Sequence, residues 1–274
     1  MNRTAPETIR MKKWMRKSTI NFFVRNKDAI GAPNFVSLCN KMVVDAMTTG
    51  FEVLTRDTYF ITCRARQILA NNVTGDIYQE DELFKAETEM NTHFENTHEF
   101  FDSRIQQGEQ KLEMGGFSLS EIQRLVTNYE TITVTNGVTQ YLDILAKADH
   151  YLTILQYLWV TSELSDNPDE AMRVKLNCER EVRQMLFNMI RTSNMHYNNI
   201  RRLCSAIVEK RQQEREAQSE RDKARDAKRK AEEKAKKIAS EKRKEQNRKR
   251  REEEKAQQKA SAQKDMDNLA QAKA

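Results

Sequence analysis

The hydrophobic pattern of this chain stops at Val208, and no fold that needs a core can be built from the residues beyond it. Up to that residue, large apolar side chains recur at helical spacing. From residue 209 onward the sequence is strong helix formers, Glu and Lys three and four apart, and almost nothing large and apolar. A coiled coil needs a sustained a/d seam, and none is present. The tail is therefore expected to be an exposed single helix held by i,i+4 charge pairs, fraying into disorder. Fully helical, it would extend by about 1.5 Å per residue.

Charge obeys the same division. Residues 1–27 carry eight Lys/Arg against one acid, and residues 209–274 carry 23 Lys/Arg against 15 Asp/Glu. The total of +6 leaves a net of about −9 for residues 28–208. Basic ends on a mildly acidic body point to a polyanionic partner, with nucleic acid first and a membrane surface second. The chain thus divides into a basic N-terminal arm over 1–17, a mainly helical body over 18–208 and the charged tail over 209–274.

Within the body, two stretches read as strands. In STINFFVRN, Ile20, Phe22 and Val24 fall on one face and Thr19, Asn21, Phe23 and Arg25 on the other. In TITVT, Thr131, Thr133 and Thr135 alternate with Ile132 and Val134, the period of a strand. A single strand has unpaired edges and is not stable alone, so each needs a partner.

The remainder reads as helix. From Asn34 to about Leu69 the apolar residues run at helical spacing, and Gly50 marks either a weak point or a break. Residues 79–113 form a long acidic helix with Leu83, Met90, Phe94, Phe101 and Ile105 along one face. Ser118-Leu-Ser-Glu121 has capping-box spacing and opens a short helix that ends before TITVT. Asn136 is the expected cap of the next helix, VTQYLDILAKADHYLTILQYLWV, the most apolar of the chain. Asn167 and Pro168 start the last one, with acids in its first turn. The fold class is thus mainly α with one or two short β-strands, followed by a long charged single helix.

Chemistry-bearing constellations are sparse. The near-repeat NTHFENTHEF holds His93, Glu95, His98 and Glu99, but histidines five apart on a helix point roughly 140° away from each other. That is not the i,i+4 spacing of a shared metal. His150 and His196 are isolated, and Asp149 is expected to make a structural hydrogen bond. Neither GxGxxG, a Walker loop, GxSxG nor HExxH occurs, and seven glycines leave little for phosphate-cradling loops. The expectation is no enzyme, no catalytic or metal site, no cofactor and no small-molecule substrate. Cys39, Cys63, Cys178 and Cys204 stand far apart and read as free thiols in a reducing compartment. No apolar run reaches the ~18 residues of a membrane span, and the N-terminus lacks a signal-like apolar region. The expected location is cytoplasmic, with no membrane partner.

The basic elements carry the functional reading. Lys12, Lys13, Arg16 and Lys17 lead directly into the N-terminal strand, where Thr19, Asn21 and Arg25 can face outward. Lysines and arginines neutralise phosphates, and short polar side chains on a strand meet base edges. A solvated basic arm beside an ordinary strand accounts for the same composition.

Two stretches resemble the AcaB-like regulators of conjugative plasmids and integrating conjugative elements. One is STINFFVRNKDAIGAPNFVSLCNKMVVDAMTTGFEVL, a strand, loop and helix in order. The other is ITVTNGVTQYLDILAKADHYLTILQYL, a strand followed by an aliphatic helix with the signature Ala148-Asp149-His150-Tyr151. The resemblance covers roughly residues 18–208. It implies a variant ribbon-helix-helix body, working as a homodimer on double-stranded DNA as a transcription regulator, an activator of transfer genes. In such a fold one strand from each protomer pairs antiparallel, and the ribbon enters the major groove. Either strand could supply it: the basic arm favours 18–25, while Thr131, Thr133 and Thr135 are suited to reading bases. In a third arrangement the two strands pair within one chain and form no ribbon. The alternative function is a non-catalytic helical interaction protein of plasmid partition or conjugation, using the charged tail.

Overall fold

The computed structural model describes residues 8–16, 32–72, 78–118 and 126–271. The strand expected over 18–25 and the capping box at 118–121 fall wholly or mostly outside these residues. Two compact units divide the chain, Met1–Glu209 and Lys210–Ala274.

The first unit is mainly α-helical with a small three-stranded sheet. Its elements are β1 (Thr8–Ile9), α1 (Met11–Trp14), β2 (Ala32–Leu38), α2 (Lys41–Tyr59), a π-helical turn (Phe60–Ala65) and α3 (Arg66–Asn72). Next come α4 (Tyr78–Met114), β3 (Thr127–Thr133), α5 (Asn136–Val160) and α6 (Pro168–Gln271), whose last part forms the second unit. Strand order is β1-β3-β2, with β1 parallel and β2 antiparallel to β3.

The sheet corrects two sequence expectations. The strand at TITVT begins earlier and ends at Thr133, so residues 127–129 are strand and not the end of a helix. Among the described residues its partners are β2, in the register Val36 to Tyr129 and Asn34 to Thr131, and β1. Residues 34–38, read as the start of a helix, belong to that partner. Phe35 and Leu38 fit a helical spacing, but Val36 and Leu38 are buried while Phe35 is 60% exposed, which is a two-residue period. The helix starts later because Asn40 caps it, its Oδ1 accepting from Met42 N at 2.9 Å.

Helix α2 then runs through Gly50 without a break. A Cβ at Gly50 would lie 2.3 Å from Ile190 Cδ1 and 2.6 Å from the Tyr141 hydroxyl. The missing side chain lets α5 and α6 approach, and Tyr141 uses that gap to donate to Ala46 O at 2.9 Å. Helix α4 ends in a Schellman motif. Phe117 N donates to Leu112 O and Gly116 N to Glu113 O, with Gly116 at φ +80.

Helix α5 is capped by Thr135 and not by Asn136, which is its first residue. The Thr135 backbone is extended, and its hydroxyl accepts from Val138 N. The same hydroxyl bonds Thr58 at 2.9 Å. As its composition predicts, α5 is heavily buried, from Val138 and Tyr141 through Leu145, Ala148 and Leu152 to Leu158. Around it pack Met47, Phe51 and Leu54 of α2, Phe94 and Phe101 of α4, and Val182, Leu186 and Met189 of α6. Asn167 opens α6 as expected, accepting from Asp169 N at 2.9 Å.

The second unit, Lys210–Ala274, is helical through Gln271, and every residue from 212 to 251 is exposed. With no apolar face to bury, its helix rests on propensity and on pairs such as Lys249–Glu245 and Arg250–Glu254.

Candidate nucleic-acid interface

The basic N-terminal segment is anchored over residues 8–16, not a free arm. Apolar residues interleave its charges, and they are what dock it. Met15 is buried, and Ile9, Met11 and Trp14 pack against the core. The Trp14 ring meets Phe51 edge-on at 5.3 Å, and its Nε1 donates to Glu130 O at 3.0 Å. The charged neighbours Arg10, Lys13 and Arg16 are thereby left exposed beside β3. Arg16 is tied at its backbone: its N–H donates to Glu52 Oε1, while its Nε sits 3.4 Å from Oε2 and its side chain is 84% exposed. Lys17, Thr19, Asn21 and Arg25 lie outside the described residues, and Lys12 is placed only as backbone in α1.

Of the threonines expected to face bases, Thr131 and Thr133 lie in β3 and Thr135 just beyond it. Thr131 is fully buried, and its hydroxyl donates to Asn34 O at 3.1 Å. Thr135 is the helix cap described above. Thr133 is half-buried. The period of two that makes TITVT legible as a strand also sends Thr131 and Thr133 to the same, inward side. The opposite face carries Phe35, Ser37, Asn128 and Glu130, with Ser37 Oγ donating to Asn128 Oδ1 at 2.6 Å.

Strand addition at the sheet is restricted by how its edges are finished. β3 is the central strand, bonded on both sides at Asn128 and Tyr129. Among the described residues β2 is an edge strand, and its outward N–H positions alternate: Pro33, Phe35, Ser37, then Cys39 beyond its end. Pro33 has no N–H, Phe35 N donates to Asn34 Oδ1 at 2.8 Å, and Cys39 N donates to both oxygens of Asp149 at 3.1 Å. Three of the four positions are closed to a pairing strand, the devices by which natural sheets blunt an edge.

Asp149 has a structural role, as expected from its place on the most buried helix. Besides Cys39 N, it accepts from Asn40 N at 2.7 Å and from Cys39 Sγ at 3.1 Å. One buried carboxylate on α5 thus fixes the turn from β2 into α2, satisfying two backbone donors. Spacing alone gives no hint of this partner, 110 residues away in the chain.

The histidines are core-edge groups. Burial lowers the His93 and His98 pKa values, and His196 beside His93 lowers that one further. His196 is buried, with Nε2 3.6 Å from Glu89 Oε2. Among the described residues no group of three His, Cys, Asp or Glu could hold a metal, and no helix is long and apolar enough to cross a membrane. All four cysteines are free thiols.

A helical body built on one apolar central helix, carrying a small mixed sheet with a basic segment docked at its edge, defines the structural class. A solved structure is similar to it in fold: the crystal structure of selenomethionine-containing AcaB from uropathogenic E. coli. The likeness has a TM-score of 0.54 at 15% identity, covering 64% of this chain and 83% of that one. At that identity the likeness is one of fold. No protein-family model and no curated protein matches the chain.

Proposed function

We propose that this protein is a DNA-binding transcriptional regulator, an activator of conjugative-transfer genes on a mobile element, acting on promoter DNA as a homodimer. The observation that carries the reading is the AcaB-like fold. It covers 64% of this chain, and the sequence resemblance to the AcaB-like regulators covers roughly residues 18–208. The basic N-terminal end supports it. Arg10, Lys13 and Arg16 are exposed beside the sheet, ready to meet phosphates, and lead into Lys17, Thr19, Asn21 and Arg25. We place the ribbon of this reading in residues 18–25, with Lys12 and Lys13 flanking it, a choice that the central position of β3 and the blunted β2 support.

Gel-shift titration against the chain's own operon DNA, with random duplex as competitor, tests it. Selective binding that weakens steeply with salt is expected. Binding to operon DNA no tighter than to competitor would refute the reading. Arg25→Ala and Asn21→Ala should each cost about tenfold or more in specific affinity, the scale of one good hydrogen-bonded pairing with a base edge. Full affinity in both, with weakened binding in Thr133→Ala, would move the reading surface to β3.

A further inference from the structure

The second unit contains a charge block that a merely soluble helix does not need. Between Arg221 and Arg251 there are sixteen Lys/Arg and six Asp/Glu. The flanks do not share the excess: residues 209–220 carry three bases against four acids, and residues 252–274 four against five. All of the tail's surplus therefore sits in one helical stretch, about 46 Å long at 1.5 Å per residue.

A helix selected only to stay exposed is best served by opposite charges four apart. Here several such positions carry like charges, Arg221 with Arg225, Arg225 with Arg229, and Lys230 with Lys234. Each like pair destabilises an isolated helix by a few tenths of a kcal/mol. A polyanion that neutralises them removes that cost. The block is helical and every one of its residues is exposed, so the surplus is left facing solvent.

We infer that Arg221–Arg251 is a sequence-independent phosphate-binding element for duplex DNA. The identity of the polyanion rests on the proposed function; the need for one does not. Charge density fits: the block presents a Lys or Arg about every 3 Å along its axis, and duplex DNA one phosphate about every 1.7 Å. An anionic membrane fits poorly, because surface-seeking helices bury an apolar face and the one large apolar residue in the block is Ile238. An acidic protein partner fits poorly as well, because the block offers no aromatic anchor and only that one aliphatic side chain for a desolvated interface.

The test is fluorescence anisotropy of the full chain on a random-sequence duplex of about 30 bp, with salt varied from about 50 to 300 mM, a range over which phosphate neutralisation is expressed as slope. The variant replaces Arg221, Arg225, Arg229, Lys230, Lys234 and Lys244 by Gln, a good helix former. The slope of log K against log salt should fall by about 0.9 for each phosphate no longer neutralised, by roughly two or more in all, with about a tenfold or greater drop in affinity at the lowest salt. Arg221→Lys, Arg225→Lys and Arg229→Lys together keep the charge and should keep the slope. An unchanged slope in the Gln variant, or an equal drop in the Lys variant, overturns the inference. So does tighter binding to vesicles of phosphatidylserine and phosphatidylcholine than to duplex. Operon-over-random selectivity is read separately, so it can be absent while the slope difference stands, and the reverse.

Discussion

Helix α6 joins two kinds of helix in one element. Between Pro168 and Glu209 it buries Val182, Leu186, Met189, Ile200, Cys204 and Ile207 against the body. From residue 212 onward it buries none of the side chains described to residue 251. The first half is helical because an apolar stripe has a core to join, the usual source of helix stability in proteins. The second is helical through side-chain propensity and charge spacing alone. The difference teaches that secondary structure here does not report on folding energy: the same backbone geometry is the product of burial in one half and of solvated charge in the other.

Truncating the packed half should have the largest effect. Leu186→Ala removes a fully enclosed side chain between α6 and its neighbours and is expected to cost about 2–5 kcal/mol in chemical denaturation. A destabilisation under about 1 kcal/mol, below the range for such truncations, would mean that α6 is not held by burial and would break the comparison.

Next comes Asp57, on the surface that α2 shows to the packed half of α6. Arg56 covers it, its Nε donating to Oδ1 at 2.7 Å, while its guanidinium lies over the Tyr197 ring and reaches Asn194. Asp57 is buried, and its Oδ2 has no hydrogen-bond partner among the described residues. Burial pushes the carboxyl up to about 6, with the Arg56 hydrogen bond and charge pulling the other way. The folded state therefore holds the proton more tightly than the unfolded one, and stability falls as pH rises from about 4 to about 6. Asp57→Asn should raise stability at pH 7 by on the order of 2 kcal/mol and change little below about pH 4. Urea midpoints across that range check it, and a variant less stable at neutral pH would show that the charge is compensated.

The smallest effect belongs to the exposed half. Ile238→Ala, at the large apolar residue of the basic block, is expected to leave the stability of the body within about 0.5 kcal/mol and circular dichroism unchanged. A measurable destabilisation would show that the tail has a packing partner after all, and would sharpen the contrast into one of degree.

Both halves of α6 are legible in the sequence because their signals are local. Asn167 caps the start, apolar residues recur to Ile207, and Val208 closes the pattern. The same holds for α4 and α5, where a long apolar or amphipathic period needs no knowledge of partners. Residues 34–38 mislead for the opposite reason. Their apolar spacing is short enough to fit two periods, and the choice is made by β3, almost a hundred residues later. The candidate interface divides in the same manner. Lys13 and Arg16 can be found from charge alone, and they are exposed. The threonines of β3 have the right chemistry for bases, but which face of a strand looks outward is not a property of the strand.

The sequence by itself determined which residues can be helical, where the core must end and where the charge lies, because periodicity, propensity and composition act within a few residues. Tertiary structure alone decided that β3 lies between two strands, that Thr131 faces inward, and that Asp149 holds the turn before α2. It also made Gly50 a point of close approach and not of breakage. Each of these depends on groups brought together from distant parts of the chain, where burial and hydrogen-bond satisfaction are settled only once the helices have packed.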